Sequence, residues 1–322
     1  MEQHWTPRRV AILGASGLTG SGLAHQLSLA DTVDEVVLFD LKHNVLAAHA
    51  IDMREAQIVA GRTRTRLTAG DLADVETHPP VDLVVFAASL PETPDGSREA
   101  FLEGNLGVMR ALLPAITHLA GDAGLVFVLT NPADVLATCL AHEGAIDPAR
   151  IFGYCLNDSI RFTAAVAREL GVSPARVDAL VVGEHGDGQV PVWSGIRLDG
   201  APRALTTDER ARIDADARGW FRRWSDLRPG RSSGWTTPLG SARTIAGLAA
   251  DEPMPVAVWR TDADGSGAHV TLRAVVREGG VVPIPLDYLD DAERSAVDFA
   301  SATIAEKARR ASTLTRSGAG RD

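Results

Sequence analysis

Short apolar runs alternate with longer mixed stretches along the first half of the chain. The β-branched runs predict strands at Arg9–Leu13, Glu35–Asp40, Val81–Ala88 and Leu125–Thr130, and the stretches between them predict helices at Gly20–Ala30, Val45–Ala60 and Arg98–Ala120. That alternation is the mark of a parallel sheet built from βαβ units. From about Pro148 the pattern changes. A helix is expected at Ser159–Leu170, an apolar strand at Val177–Val182 and a helix around Asp208–Trp224. Strands follow near Pro255–Trp259, Ala268–Val276 and Val281–Pro285, and a closing helix runs from Asp290 to about Arg310. Mixed elements of this kind predict an α+β domain. The expected division is a nucleotide-binding domain over 1–147 and a second domain over 148–322, with the polar, Gly/Ser-rich end from about 311 fraying.

The length of 322 residues suits two domains with a substantial core. A net charge of −10 argues against a nucleic-acid or anionic-membrane partner. The longest apolar runs, such as residues 81–89, are too short to span a bilayer, and Met1–Arg9 is too short and polar for a signal segment. The two cysteines, Cys139 and Cys155, have no metal-ligand spacing, so a reducing cytoplasm and no metal are expected.

Local chemistry first becomes legible at GASGLTG, which comprises Gly14, Ala15, Ser16, Gly17, Leu18, Thr19 and Gly20. The motif follows a strand and opens a helix. Its glycines allow a sharp turn and close approach to a pyrophosphate, and the helix start offers N–H groups and a positive dipole end. Asp40 closes the second strand, where a carboxylate accepts from ribose hydroxyls and repels a 2′-phosphate. NAD is therefore expected rather than NADP. The loop would equally suit a short-chain dehydrogenase or a regulatory NAD sensor. The former needs Tyr-x-x-x-Lys, and the two tyrosines, Tyr154 and Tyr288, are followed four residues later by Asp158 and Ala292.

Val181–Ser194 (VVGEHGDGQVPVWS) ends an apolar strand in a Gly-rich turn that presents His185, a side chain able to give and take a proton near neutrality. Asp158 and Arg161 lie three apart at a helix start and so share a face. With these segments in order, the chain resembles the lactate/malate dehydrogenase family over nearly its whole length. The likeness rests on GASGLTG, Asp40, PDGSREAFLEGN (94–105), TNPAD (130–134), DSIRF (158–162) and GEHGD (183–187).

The resemblance implies a Rossmann doubly wound sheet followed by an α+β catalytic domain, and an oxidoreductase interconverting a small L-2-hydroxy acid and its 2-oxo acid. It makes His185 the acid/base, Asp158 its partner, Arg161 the clamp for the substrate carboxylate and Arg98 the lid arginine that polarises the carbonyl. Asn131 would touch substrate and nicotinamide ribose, Asn105 the cofactor, and Thr236 the substrate's reacting carbon. The lid would be Ser89–Arg98, and the assembly a homodimer or homotetramer. Val45–Ala60, rich in small and apolar residues, suits packing on a partner or on its own sheet.

The chain departs from the family at Glu92, where malate dehydrogenases carry an arginine and lactate dehydrogenases a glutamine. An acid there disfavours a dicarboxylate substrate and favours a 2-oxo acid with a cationic or hydrogen-bond-donating side chain. Asn157, Ser89 and Gly188 also differ from the usual residues, and Trp235 suits either the substrate pocket or the core. Two other readings stand beside this one. In the first, Glu92 faces solvent and the enzyme is an ordinary malate or lactate dehydrogenase. In the second, the chain is a noncatalytic NAD-binding regulator, a protein with no reason to retain all four charged residues.

Overall fold

The computed structural model describes residues 4–30, 32–90, 98–228, 234–262 and 265–318. The apolar runs of the first half form strands β1 (Arg9–Leu13), β2 (Glu35–Phe39), β3 (Arg66–Gly70), β4 (Leu83–Phe86), β5 (Leu125–Val128) and β6 (Ile151–Tyr154). Their spatial order is β3-β2-β1-β4-β5-β6, all parallel. This is a Rossmann doubly wound arrangement, and its order reverses between β1 and β4. Every residue of β2, β4, β5 and β6 is buried because helices cover both faces. Those helices include α1 (Leu18–Ala30), α2 (His43–Ala60), α3 (Arg98–Ala120) and α4 (Ala133–His142). Leu13 pairs with both Phe39 and Phe86, and Phe86 pairs with Val128, so four carboxyl ends lie level and form one rim.

The second half is α+β, as the mixed pattern predicts, and it continues the same sheet. Beyond β6 come β12 (Met254–Thr261), β13 (Gly267–Arg277), β8 (Val181–Gly183) and β9 (Gln189–Pro191), all joined antiparallel, with β14 (Gly280–Pro283) also on β13. The expected strand over 177–182 is in fact two. Val177–Asp178 (β7) joins a small sheet with β10 (Arg197–Leu198) and β11 (Ala201–Pro202), while β8 enters the main sheet. A satellite core around Phe162, Val166, Val181, Ile196 and Ile213 fixes helix α5 (Leu156–Leu170) to α6 (Thr207–Arg218).

Other boundaries differ from the sequence expectation for physical reasons. Helix α4 is buried on every side from Ala133 to Ala141, so it shows no polar stripe to betray its period. The single helix expected over 208–224 breaks at Gly219 into α6 and α7 (Trp220–Asp226). Helix α8 (Thr236–Ala249), disguised by its Pro and Gly, was also not anticipated. The closing helix α9 (Asp291–Gly318) continues beyond 311, with Ala308 and Ala311 buried, where fraying was expected. Among the described residues no helix is long and apolar enough to cross a membrane.

Candidate active site

The GASGLTG loop turns at the level rim between β1 and α1. Gly14 has φ +93°, and a Cβ on it would lie 2.4 Å from the Ala88 backbone nitrogen. Only glycine lets β1 turn that close to the end of β4. A Cβ on Gly20 would fall 2.4 Å from the Gly14 carbonyl oxygen. The Gly17 amide donates to that oxygen at 3.2 Å, and α1 begins at Leu18 with its first-turn amides lacking intrahelical acceptors. Asp40, half-buried just past the end of β2, accepts from the Ser16 amide at 3.1 Å and the Lys42 amide at 3.2 Å. A Cβ-free cradle, a helix start and a carboxylate one strand away fit a dinucleotide's pyrophosphate and ribose.

The proposed acid/base pair meets across two elements. Asp158 sits in the first turn of α5, and His185 on the turn after β8; the His185 Nδ1 stands 2.6 Å from the Asp158 Oδ2. An ionised carboxylate accepts only, so Nδ1 carries the donated proton and Nε2 is left for chemistry. The pair is enclosed but reachable, with side-chain exposures of 17 % and 10 %. The charge of Asp158 raises the histidine above its usual range and outweighs burial, which pulls the other way. Arg161 follows one turn along α5, with its Nη1 3.5 Å from the Asp158 Oδ1 and the Trp220 ring against its guanidinium.

A path of hydrogen bonds ties this cluster to the rim. Asn105 accepts from the Leu90 amide at 2.9 Å and donates to the Asn131 carbonyl at 3.0 Å. Three residues on, the buried Asp134 accepts the His185 amide at 2.8 Å. Burial pushes Asp134 up to about 6, opposed by the positive charge expected on His185. The neighbouring Glu184, also buried, pairs with Lys307 of α9. It folds over Gly188, where a Cβ would stand 2.5 Å from its carboxylate.

The remaining expected site residues fall as follows. Asn131 is exposed on the rim, whereas Asn105 is wholly buried with its amide committed to backbone groups, so its position favours holding the rim together. Thr236 is exposed at the start of α8. Helix α8 packs on α1, where a Cβ on Gly22 would lie 2.7 Å from Pro238, and it bonds to α5 through Asn157 and Thr237. Thr236 thus lies between the cradle and helix α5. Arg98 opens α3, but its side chain lies outside the described residues, as does all of Glu92. Trp235 is 75 % exposed and fills no core.

Sequence reasoning missed the parts played by Asp134, Trp220, Tyr154 and Thr237. The Tyr154 hydroxyl donates to Asn157 at 2.7 Å, and Asn157 donates to Thr237 at 3.0 Å, so the unusual asparagine is a buried strut between β6, α5 and α8. Its departure from leucine was the only available signal. Among the described residues no cluster of His, Cys, Asp and Glu could hold a metal ion.

Comparison with known proteins gives consistent matches. Residues 8–153 match a family profile described as lactate/malate dehydrogenase, NAD binding domain, and residues 157–222 match the lactate/malate dehydrogenase alpha/beta C-terminal domain. The chain is 36% identical to the L-lactate dehydrogenase of Thermus aquaticus over 220 residues, covering 65% of this chain and 69% of that one. It is 33% identical to the malate dehydrogenase of Halobacterium salinarum over 211 residues, covering 65% and 67% respectively. The malate dehydrogenase from Picrophilus torridus superposes with a TM-score of 0.85 at 23% identity, over 97% of this chain and 99% of that one, a likeness of fold.

Proposed function

The chain belongs to the lactate/malate dehydrogenase family and is an NAD-dependent 2-hydroxy acid dehydrogenase, and we propose that His185, Asp158, Arg161 and Arg98 carry its chemistry. The observation that carries this reading is the 2.6 Å contact of His185 with Asp158, one turn from Arg161 and tied through Asp134 to the rim.

Gly14 to Gly20 would hold the pyrophosphate of NAD and Asp40 its adenosine ribose, with Asn131 at the nicotinamide end and Asn105 holding the rim behind it. The bound cofactor supplies or accepts the hydride. Arg161 binds the C1 carboxylate of an L-2-hydroxy or 2-oxo acid through its planar fork of donors. In the reducing direction His185 delivers the proton on Nε2 to the developing alkoxide, and Asp158 steadies the charged ring before that transfer. In the oxidising direction neutral His185 takes the hydroxyl proton. Arg98 closes with the lid and polarises the carbonyl, while Thr236 flanks the reacting carbon.

The substrate side chain is set, in this reading, by Glu92. A carboxylate facing a second carboxylate at about 4 Å costs roughly 4 kcal/mol at an effective dielectric near 20, or about a thousandfold in relative rate. Oxaloacetate is therefore a poor substrate, and a 2-oxo acid with a cationic or donor side chain a better one. Following NADH consumption with pyruvate, oxaloacetate and 5-guanidino-2-oxopentanoate side by side tests both parts. No turnover of any of them defeats the dehydrogenase reading, and preference for oxaloacetate defeats the charge argument alone.

The same reading treats 1–147 as the NAD-binding domain and 148–322 as the catalytic domain of a cytoplasmic homodimer or homotetramer. Ile51, Ile58 and Val59, apolar and exposed along α2, support a subunit contact there.

A further inference from the structure

Arg161 is held differently from other arginines in the molecule. Arg110, Arg168 and Arg212 are gripped by carboxylates at 2.8, 2.5 and 2.7 Å. Arg161 reaches Asp158 only at 3.5 Å, and the stronger contact of that carboxylate goes to His185. Its guanidinium carbon instead stands 3.9 Å from the centroid of the Trp220 ring. Trp220 is itself backed by Trp224, with ring centroids 6.0 Å apart and planes 12° from parallel.

Helix α7, which carries both tryptophans, is fixed to the catalytic helix. Arg223 of α7 pairs with Asp216 of α6 at 2.7 Å, and Asp216 pairs with Arg168 of α5 at 2.5 Å. The break that turns Trp220 toward Arg161 needs glycine, since a Cβ on Gly219 would meet the Ala215 carbonyl oxygen at 2.8 Å.

A carboxylate partner would fix the guanidinium by occupying its edge donors, the same donors that a substrate carboxylate requires. An aromatic face holds the cation without using any of them. Resting on the dehydrogenase reading above, we propose that Trp220 is a positioning residue: it holds Arg161 by its π face so that the guanidinium edge stays available to the substrate carboxylate.

Kinetics of W220A, W220L and W220F test this, using whichever of pyruvate, oxaloacetate and 5-guanidino-2-oxopentanoate the wild type turns over fastest. W220A and W220L should raise KM about 10-fold while kcat stays within about threefold, the signature of lost ground-state and transition-state binding alike. W220F, which keeps a π face, should hold KM within about threefold of wild type. The Kd for NADH should not change in any variant. A wild-type KM in W220L, or W220F as impaired as W220A, overturns the proposal, because apolar bulk or one specific shape would then suffice. A wild type inactive on all three acids counts against the dehydrogenase reading instead. Titration of oxamate, a carboxylate-bearing carbonyl isostere, in the presence of NADH then decides the matter. A Kd weakened about 10-fold in W220A supports the role of Trp220, and an unchanged Kd overturns it.

Discussion

Two histidines, one on the turn after β8 and one in the sheet, have surroundings that give them opposite characters. His185 faces the Asp158 carboxylate at 2.6 Å and is raised above its usual range. His269, near the start of β13, directs Nε2 at the Pro148 and Ile151 carbonyls at 3.2 and 3.0 Å, and burial pulls it down to about 4. Carbonyl oxygens satisfy the one N–H of a neutral ring, whereas a carboxylate rewards the second proton. Burial alone makes a histidine inert. A carboxylate partner keeps it able to hold a second proton.

The sharpest test of that contrast is to remove each ring. His185→Gln should lower turnover about a thousandfold, the usual scale of a general acid/base, with NADH affinity intact. His269→Gln, whose amide can still donate to a carbonyl, should leave turnover within about threefold. If His185 is the proton donor, kcat/KM of wild type in the reducing direction requires its protonated form. It should fall as pH rises through a value above the ordinary histidine range, the direction set by Asp158. If the His269 variant loses turnover and the His185 variant keeps it, the roles assigned to the two rings are reversed.

The histidine proposed as acid/base stood out in the sequence and the one in the sheet did not. His185 announces itself because the strand before it and the glycines around it are local signals, and Asp158 and Arg161 because a spacing of three places them on one helix face. A parallel sheet was equally legible in kind, since it follows from alternation alone, although β3 and β6 were not read as strands. Contacts between distant segments were not. His269 looks like any polar residue in a strand until β13 pairs with β12, and β12 with β6. The bond from Asp134 to the His185 amide and the stack of Trp220 on Arg161 likewise join separate elements through no local pattern. Helix α4 escaped notice because full burial erases the period by which a helix is read, and strand β6 because it is four residues long with a glycine inside it.

His269 also makes a prediction about stability. Its folded value of about 4 lies below its ordinary 6.5, so its contribution is fully present above 6.5 and is lost as pH falls through about 4. Across that window wild type should lose about 3 kcal/mol on this account, at 1.36 kcal/mol per unit. Urea unfolding at neutral pH and near pH 4.5 measures the slope. His269→Gln should be less stable at neutrality yet lose less on acidification, and parallel slopes in the two proteins would remove the buried ring from the explanation. His185, raised rather than lowered, contributes the opposite sign, lost as pH rises through its folded value.

The smallest expected effect comes from the carboxylate behind the catalytic turn. Asp134 accepts the His185 and Val135 amides, both at 2.8 Å, and its charge adds to that of Asp158 in favouring protonated His185. Its folded value of about 6 lies above the ordinary 3.8, so the stability it contributes is present below 3.8 and lost as pH rises through about 6. A fully ionised Asp134 is thus a cost that the fold bears near neutrality, with His185 as the positive neighbour and Glu184 as a repelling one. Asp134→Asn removes that cost, but the amide keeps one acceptor oxygen for two backbone donors, and one bond is lost. Turnover should fall about 10-fold, the scale of a single unsatisfied amide near the site. The fall of kcat/KM with pH should move to lower pH by less than about one unit, because Asp158 still supplies the larger field. An unmoved pH profile with unchanged turnover would mean that Asp134 only packs α4 against the turn. The difference between the two histidines would then rest on Asp158 alone.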